Sequence, residues 1–125
     1  MSQEKSFEKQ MVTSTNAVVN LYVLGAFDLA SRDIGSASDP YFTVKCGKFE
    51  WNNRDRYKLD CASPQWNEFI SFAVNLPGSK PVEIEAYDYD DLFGDDLIGT
   101  TVLDLDDRWF NPDWVQLEEK PIEHR

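Results

Sequence analysis

At 125 residues the chain fits one domain, large enough to bury a core that folds without disulfides. Its 42% hydrophobic and 14% aromatic content marks a globular protein, while 23 acidic against 12 basic residues give a net charge of -11. So acidic a surface argues against nucleic acid as a partner, and it repels any anionic surface unless cations intervene.

The N-terminal residues 1–15 are polar, with only Phe7, Met11 and Val12 as apolar points, and read as a leader or an edge strand. They contain no apolar stretch of the kind a secretory leader carries, and nothing in the chain approaches the ~18 apolar residues that cross a bilayer as a helix. With only Cys46 and Cys61 as thiols, a reduced intracellular setting is expected. Residues 16–119 carry the patterned domain, and 120–125 form a short tail.

Strands are read in chain order from β-rich runs bounded by turn formers: 17–25, 41–46, 56–59, 68–74, 82–87, 97–103 and 114–117. Pro40, Pro64, Pro77, Pro81, Pro112 and Pro121 interrupt any helix of length, leaving room for one helical turn at 104–110. Seven short strands at this spacing indicate an all-β antiparallel sandwich or barrel.

The chemistry lies in the aspartates. Asp88-Tyr89-Asp90 follows the 82–87 strand, so alternation sends Asp88 and Asp90 to one side. The turn Asp91-Leu92-Phe93-Gly94-Asp95 then delivers Asp96 at the start of the next strand. Asp33 and Asp39 share an earlier loop that joins them if both loops lie at one end of the sandwich. Five carboxylates in one concavity repel one another when empty, and a hard divalent cation removes that cost. Calcium, with six to eight oxygens in flexible geometry, suits so irregular a cage better than magnesium. With two cysteines and one histidine, His124 next to the C-terminus, no zinc site of four nitrogen and sulfur ligands can be assembled. An EF-hand is excluded, because counting from Asp88 puts Phe93 where the loop glycine belongs and Gly99 where the bidentate glutamate belongs. A lone aspartate beside Gly or Pro is ordinarily a turn former, but five on two strand-flanked loops are poorly explained that way.

The motifs together resemble a C2 domain. Asp33-Ile34-Gly35-Ser36-Ala37-Ser38-Asp39-Pro40-Tyr41 is similar to that family's first calcium loop running into its Asp-Pro-Tyr strand. Asp88-Tyr89-Asp90 with Asp96-Leu97-Ile98-Gly99 is similar to its third loop, and Ser63-Pro64-Gln65-Trp66-Asn67-Glu68 to the segment that enters a central strand, with Ser in place of the usual Asn. Within the family, Asn53-Arg54-Asp55-Arg56-Tyr57, the stretch 103–110 and the tail look like ferlins, the multi-domain proteins of calcium-triggered vesicle fusion and membrane repair. The resemblance implies a single ferlin-like domain, expected to come from a longer protein.

The resemblance implies an eight-stranded antiparallel sandwich with two to three Ca2+ ions between loops at one end. It assigns Asp33, Asp39, Asp88, Asp90 and Asp96 to the ligand positions, with the backbone carbonyls of Arg32 and Tyr89. The eighth strand would come from residues 7–14 or from beyond Leu117, the family's two permuted topologies. Ile34, Leu92 and Phe93 are the expected membrane-inserting tips, the alternative being that Leu92 and Phe93 fold back as a small loop core, and Lys45, Lys48, Arg54, Arg56 and Lys58 a basic group for a lipid headgroup, or else an ordinary solvated strand surface. The expected partner is a phospholipid membrane on its cytoplasmic side, bound peripherally and in a calcium-dependent manner, with other C2 domains or fusion proteins as further partners and an anchor elsewhere in the parent protein. Asp91 stands where lipid-binding relatives often carry a basic residue, which weakens selectivity for anionic lipid. An enzyme is not expected: paired carboxylates serve glycosidases, but no nucleophile and base pair is visible. The rival reading is a calcium-independent protein-interaction scaffold.

Overall fold

The computed structural model describes residues 14–31 and 35–110. Six strands lie among them: β1 (Thr15–Gly25), β2 (Pro40–Cys46), β3 (Phe49–Asn52), β4 (Gln65–Leu76), β5 (Val82–Asp88) and β6 (Asp96–Leu103). A 3-10 turn covers Arg54–Arg56, and a short helix, α1, covers Leu105–Phe110. β1 pairs with β4, while the second sheet runs β3-β2-β5-β6, and every pairing is antiparallel.

The alternation of β1 and β4 sends Leu21, Val23, Trp66, Ile70 and Phe72 inward, where they meet Phe42, Val44, Val82 and Leu103 of the other sheet. β2 is the hub of that sheet, hydrogen-bonded on both sides, and its Phe42 and Val44 are fully buried. Removing each such side chain from water contributes about 1.5–3 kcal/mol, which fixes the register of everything that β2 pairs with.

Two expectations change. Six strands, not eight, lie among the described residues; the candidate strands at 7–14 and 114–117 fall outside them, apart from Ser14, which directly precedes β1. The strand expected at 56–59 is absent. Asn52 and Asn53 end β3 there: the Asn52 side chain accepts the Arg54 N–H at 3.0 Å, and the Asn53 carbonyl accepts the Arg56 N–H at 2.8 Å. Local bonds thus satisfy the N–H groups of Arg54 and Arg56, and beyond them the Lys58 N–H reaches a strand residue, donating to the Pro40 carbonyl at 2.9 Å. The helical turn expected at 104–110 is α1, with Asp104 accepting the N–H groups of Asp106 and Asp107 at its start.

Candidate calcium and membrane site

The register places three aspartate-bearing chain segments side by side. Pro40 of β2 pairs with Asp88 of β5, and Asp88 pairs with Asp96 of β6, after an irregularity between Ala86 and Tyr87 that shifts β6 by one residue. Asp39 precedes Pro40 and is tied in directly: its N–H donates to Asp88 Oδ1 at 2.9 Å, and its carbonyl accepts the Tyr89 N–H at 2.9 Å. The first and third loops of the sequence motif therefore do meet at one end of the sandwich. A cleft beside them is lined by Ala30, Ser38, Asp88, Asp96, Leu97 and Ile98.

The β3–β4 connection straps the same end. Asp39 Oδ1 accepts the Asp60 N–H at 2.7 Å, Asp60 Oδ1 accepts the Ala37 N–H at 2.7 Å, and the Ser38 carbonyl accepts the Cys61 N–H at 2.8 Å. Asp60 sits in the left-handed region at φ 48°, which aspartate tolerates better than most residues.

Asp90 behaves differently from Asp88. β5 ends at Asp88, so the strict alternation of a strand no longer governs two residues on. The Asp90 carboxylate folds into its own loop, where Oδ1 accepts the N–H groups of Leu92 at 3.0 Å and Phe93 at 3.1 Å. Among the described residues no three His, Cys, Asp or Glu side chains converge on a common point within metal-ligating distance. Arg32, Asp33 and Ile34 lie outside the described residues, which contain Asp39, Asp88, Asp90 and Asp96 of the expected side-chain ligands. The donor chemistry nevertheless fits calcium. All four side chains are hard oxygen donors, and the bonds found on Asp39, Asp88 and Asp90 engage one oxygen of each carboxylate.

Sequence reasoning missed the most heavily bonded carboxylate, Asp95. Its Oδ2 accepts the Arg54 Nε–H at 2.7 Å and the Tyr41 hydroxyl, and its Oδ1 accepts the Asp90 N–H at 2.8 Å. Hydrogen bonding from Arg54 is the main cause holding its carboxyl down at about 2, and Asp95 in turn holds the Arg54 guanidinium above its ordinary value. Burial first, then Asp95, pushes the Tyr41 phenol upward. The guanidinium also lies 4.4 Å from the centre of the Tyr89 ring, which stacks on Tyr57 at 4.0 Å.

At the tip of this loop Leu92 and Phe93 are 84% and 88% exposed, so they form no small core of their own. The five basic residues do not form a free cluster. Lys45 pairs with Glu85 at 3.6 Å, Arg54 with Asp95, and Arg56 with Glu68 at 2.9 Å, while for Lys48 and Lys58 no ion pair is found among the described residues.

Comparison with known proteins agrees with this geometry. The family model described as "C2 domain" matches residues 17–121. Mouse Fer-1-like protein 4 is 29% identical over 117 residues, 88% of this chain and 6% of that protein. Myoferlin of Xenopus tropicalis is 30% identical over 98 residues, 78% of this chain and 5% of its own length. Among solved structures, the calcium-bound pair of C2 domains from extended synaptotagmin 2 superposes with a TM-score of 0.65 at 29% identity, over 75% of this chain and 36% of that one. The chain thus spans only a small fraction of the curated relatives it matches.

Proposed function

The chain belongs to the C2 domain family, with ferlins among its relatives, and on that premise we propose that it is a calcium-binding module that docks reversibly on phospholipid membranes. The observation that carries the reading is the pairing, on one loop, of a carboxylate-bearing base with two exposed apolar tips. Asp88, Asp90 and Asp96 flank the turn from which Leu92 and Phe93 project into solvent.

Asp39, Asp88, Asp90 and Asp96, with Asp33 and the carbonyls of Arg32 and Tyr89, are the proposed ligands for two to three calcium ions. Two ties, Asp39 N–H to Asp88 and Tyr89 N–H to the Asp39 carbonyl, fix the spacing between the loops. Bound calcium would reverse the local charge and leave coordination positions for lipid phosphate oxygens. Without it, the clustered carboxylates repel anionic lipid and keep Leu92 and Phe93, together with Ile34, off the membrane. The wider role, peripheral attachment on the cytoplasmic side during ferlin-type vesicle fusion or membrane repair, with other C2 domains or fusion proteins as partners, extends the same reading. No helix among the described residues is long and apolar enough to cross a membrane. Of the five basic residues expected at a headgroup, Lys48 and Lys58 are the ones without an ion pair among the described residues, since Lys45, Arg54 and Arg56 already face carboxylates.

The test is calorimetric titration of metal-stripped protein with calcium, beside Asp90→Asn. Saturable binding of more than one ion, weakened in the variant, supports the proposal. Absence of heat and of any melting shift at millimolar calcium points instead to a calcium-independent interaction scaffold.

A further inference from the structure

We propose that Arg54 is the positioning residue of the β5–β6 loop, a permanent cation that sets the loop's shape before any metal arrives. The loop and its flanks carry Asp88, Asp90, Asp91, Asp95 and Asp96 within nine residues, and so many like charges tend to splay it. Arg54 opposes this from outside the loop. Its Nε and Nη2 both donate to Asp95, at 2.7 and 3.3 Å, and Nη2 lies 3.9 Å from Asp91. Two-point contact of a planar fork fixes orientation as well as distance.

The constraint passes on through the backbone. Asp95 accepts the Asp90 N–H, and Asp90 accepts the N–H groups of Leu92 and Phe93, so one run of hydrogen bonds leads from the guanidinium to both apolar tips. The same guanidinium covers the ring of Tyr89, which also stacks on Tyr57. Arg54 is itself anchored to the core. Its N–H donates to Asn52, and the next residue back, Asn53, is 1% exposed and exchanges two hydrogen bonds with the backbone of Phe42. A charge fixed to the hub strand thus holds a loop of opposite charge. The loop's order is then independent of calcium, and only its charge changes when metal binds; this last clause rests on the proposed function.

The experiment measures solvent exchange of single amides by NMR in the full chain, in chelator and then in saturating calcium, for the native protein, Arg54→Met and Arg54→Lys. In chelator, Arg54→Met should speed exchange at Asp90, Leu92 and Phe93 by about tenfold or more and leave the Phe42 amide unchanged. Arg54→Lys, which keeps the charge and loses the fork, should recover only part of the protection. Calcium should restore the three amides in Arg54→Met and change them little in the native protein. Equal exchange at the three amides in native protein and Arg54→Met overturns the proposal, and so does full protection in Arg54→Lys or acceleration at Phe42 by the same factor. If calcium alters exchange in none of the three proteins, the metal-binding reading fails, while the chelator comparison still decides the role of Arg54.

Discussion

Asp95 and Asp96 are chemically identical neighbours in opposite surroundings. Asp95 is consumed within the protein by Arg54, Tyr41 and the Asp90 N–H, whereas Asp96 is exposed at the mouth of the site beside Asp88. The sequence marks Asp96 through its spacing to Leu97-Ile98-Gly99, whereas the two side chains that bind Asp95, Arg54 and Tyr41, lie 41 and 54 residues away and leave no local signal. Asn53 is a comparable case. Its side-chain carbonyl accepts the buried Phe42 N–H at 2.8 Å, where no strand partner serves that donor. Asn53→Ala should leave the N–H unpaired and cost about 1–3 kcal/mol in urea unfolding, without changing the slope of the transition. An unchanged midpoint would mean that water reaches Phe42.

At the scale of elements, strands with a buried partner were legible and turns built on side-chain bonds were not. The runs at 17–25, 41–46, 68–74, 82–87 and 97–103 each fall within or overlap a strand, because one buried face imposes an apolar period of two. β3 was missed although Gly47, at φ 58°, signals a two-residue hairpin between Cys46 and Phe49, and 56–59 was misread because Tyr57 and Leu59 imitate that period. Gly25 shows how an element end positions a loop. β1 and β4 slip register between Val23 and Gly25, and the backbone there runs so close to Pro64 that an added Cβ would lie 2.2 Å from its carbonyl oxygen. Gly25→Ala must push the strands apart or tilt the Ala26 N–H off the same carbonyl, a bond of 3.1 Å. A loss on the order of 1–3 kcal/mol is expected in thermal or urea unfolding, larger than for an exposed Gly99→Ala, where an added Cβ meets nothing within 4 Å.

For the molecule as a whole, a net charge of -11 disfavours approach to anionic lipid, so the proposed attachment needs a local reversal of charge together with apolar insertion. On the proposed reading Leu92 and Phe93 supply the apolar part, and their exposure makes that role separable from calcium binding. Each offers roughly 1.5–3 kcal/mol on leaving water, so the pair accounts for on the order of a hundredfold or more in vesicle affinity. The double change Leu92→Ser and Phe93→Ser preserves both N–H groups that Asp90 accepts, and with them the loop. In co-sedimentation with phosphatidylserine vesicles it should abolish the calcium-dependent fraction at lipid concentrations where the native chain is mostly bound, while calorimetric calcium binding in the absence of lipid stays within about twofold. Loss of calcium binding as well would show that the tips are structural, and undiminished vesicle binding would assign attachment to phosphate coordination at the ion alone.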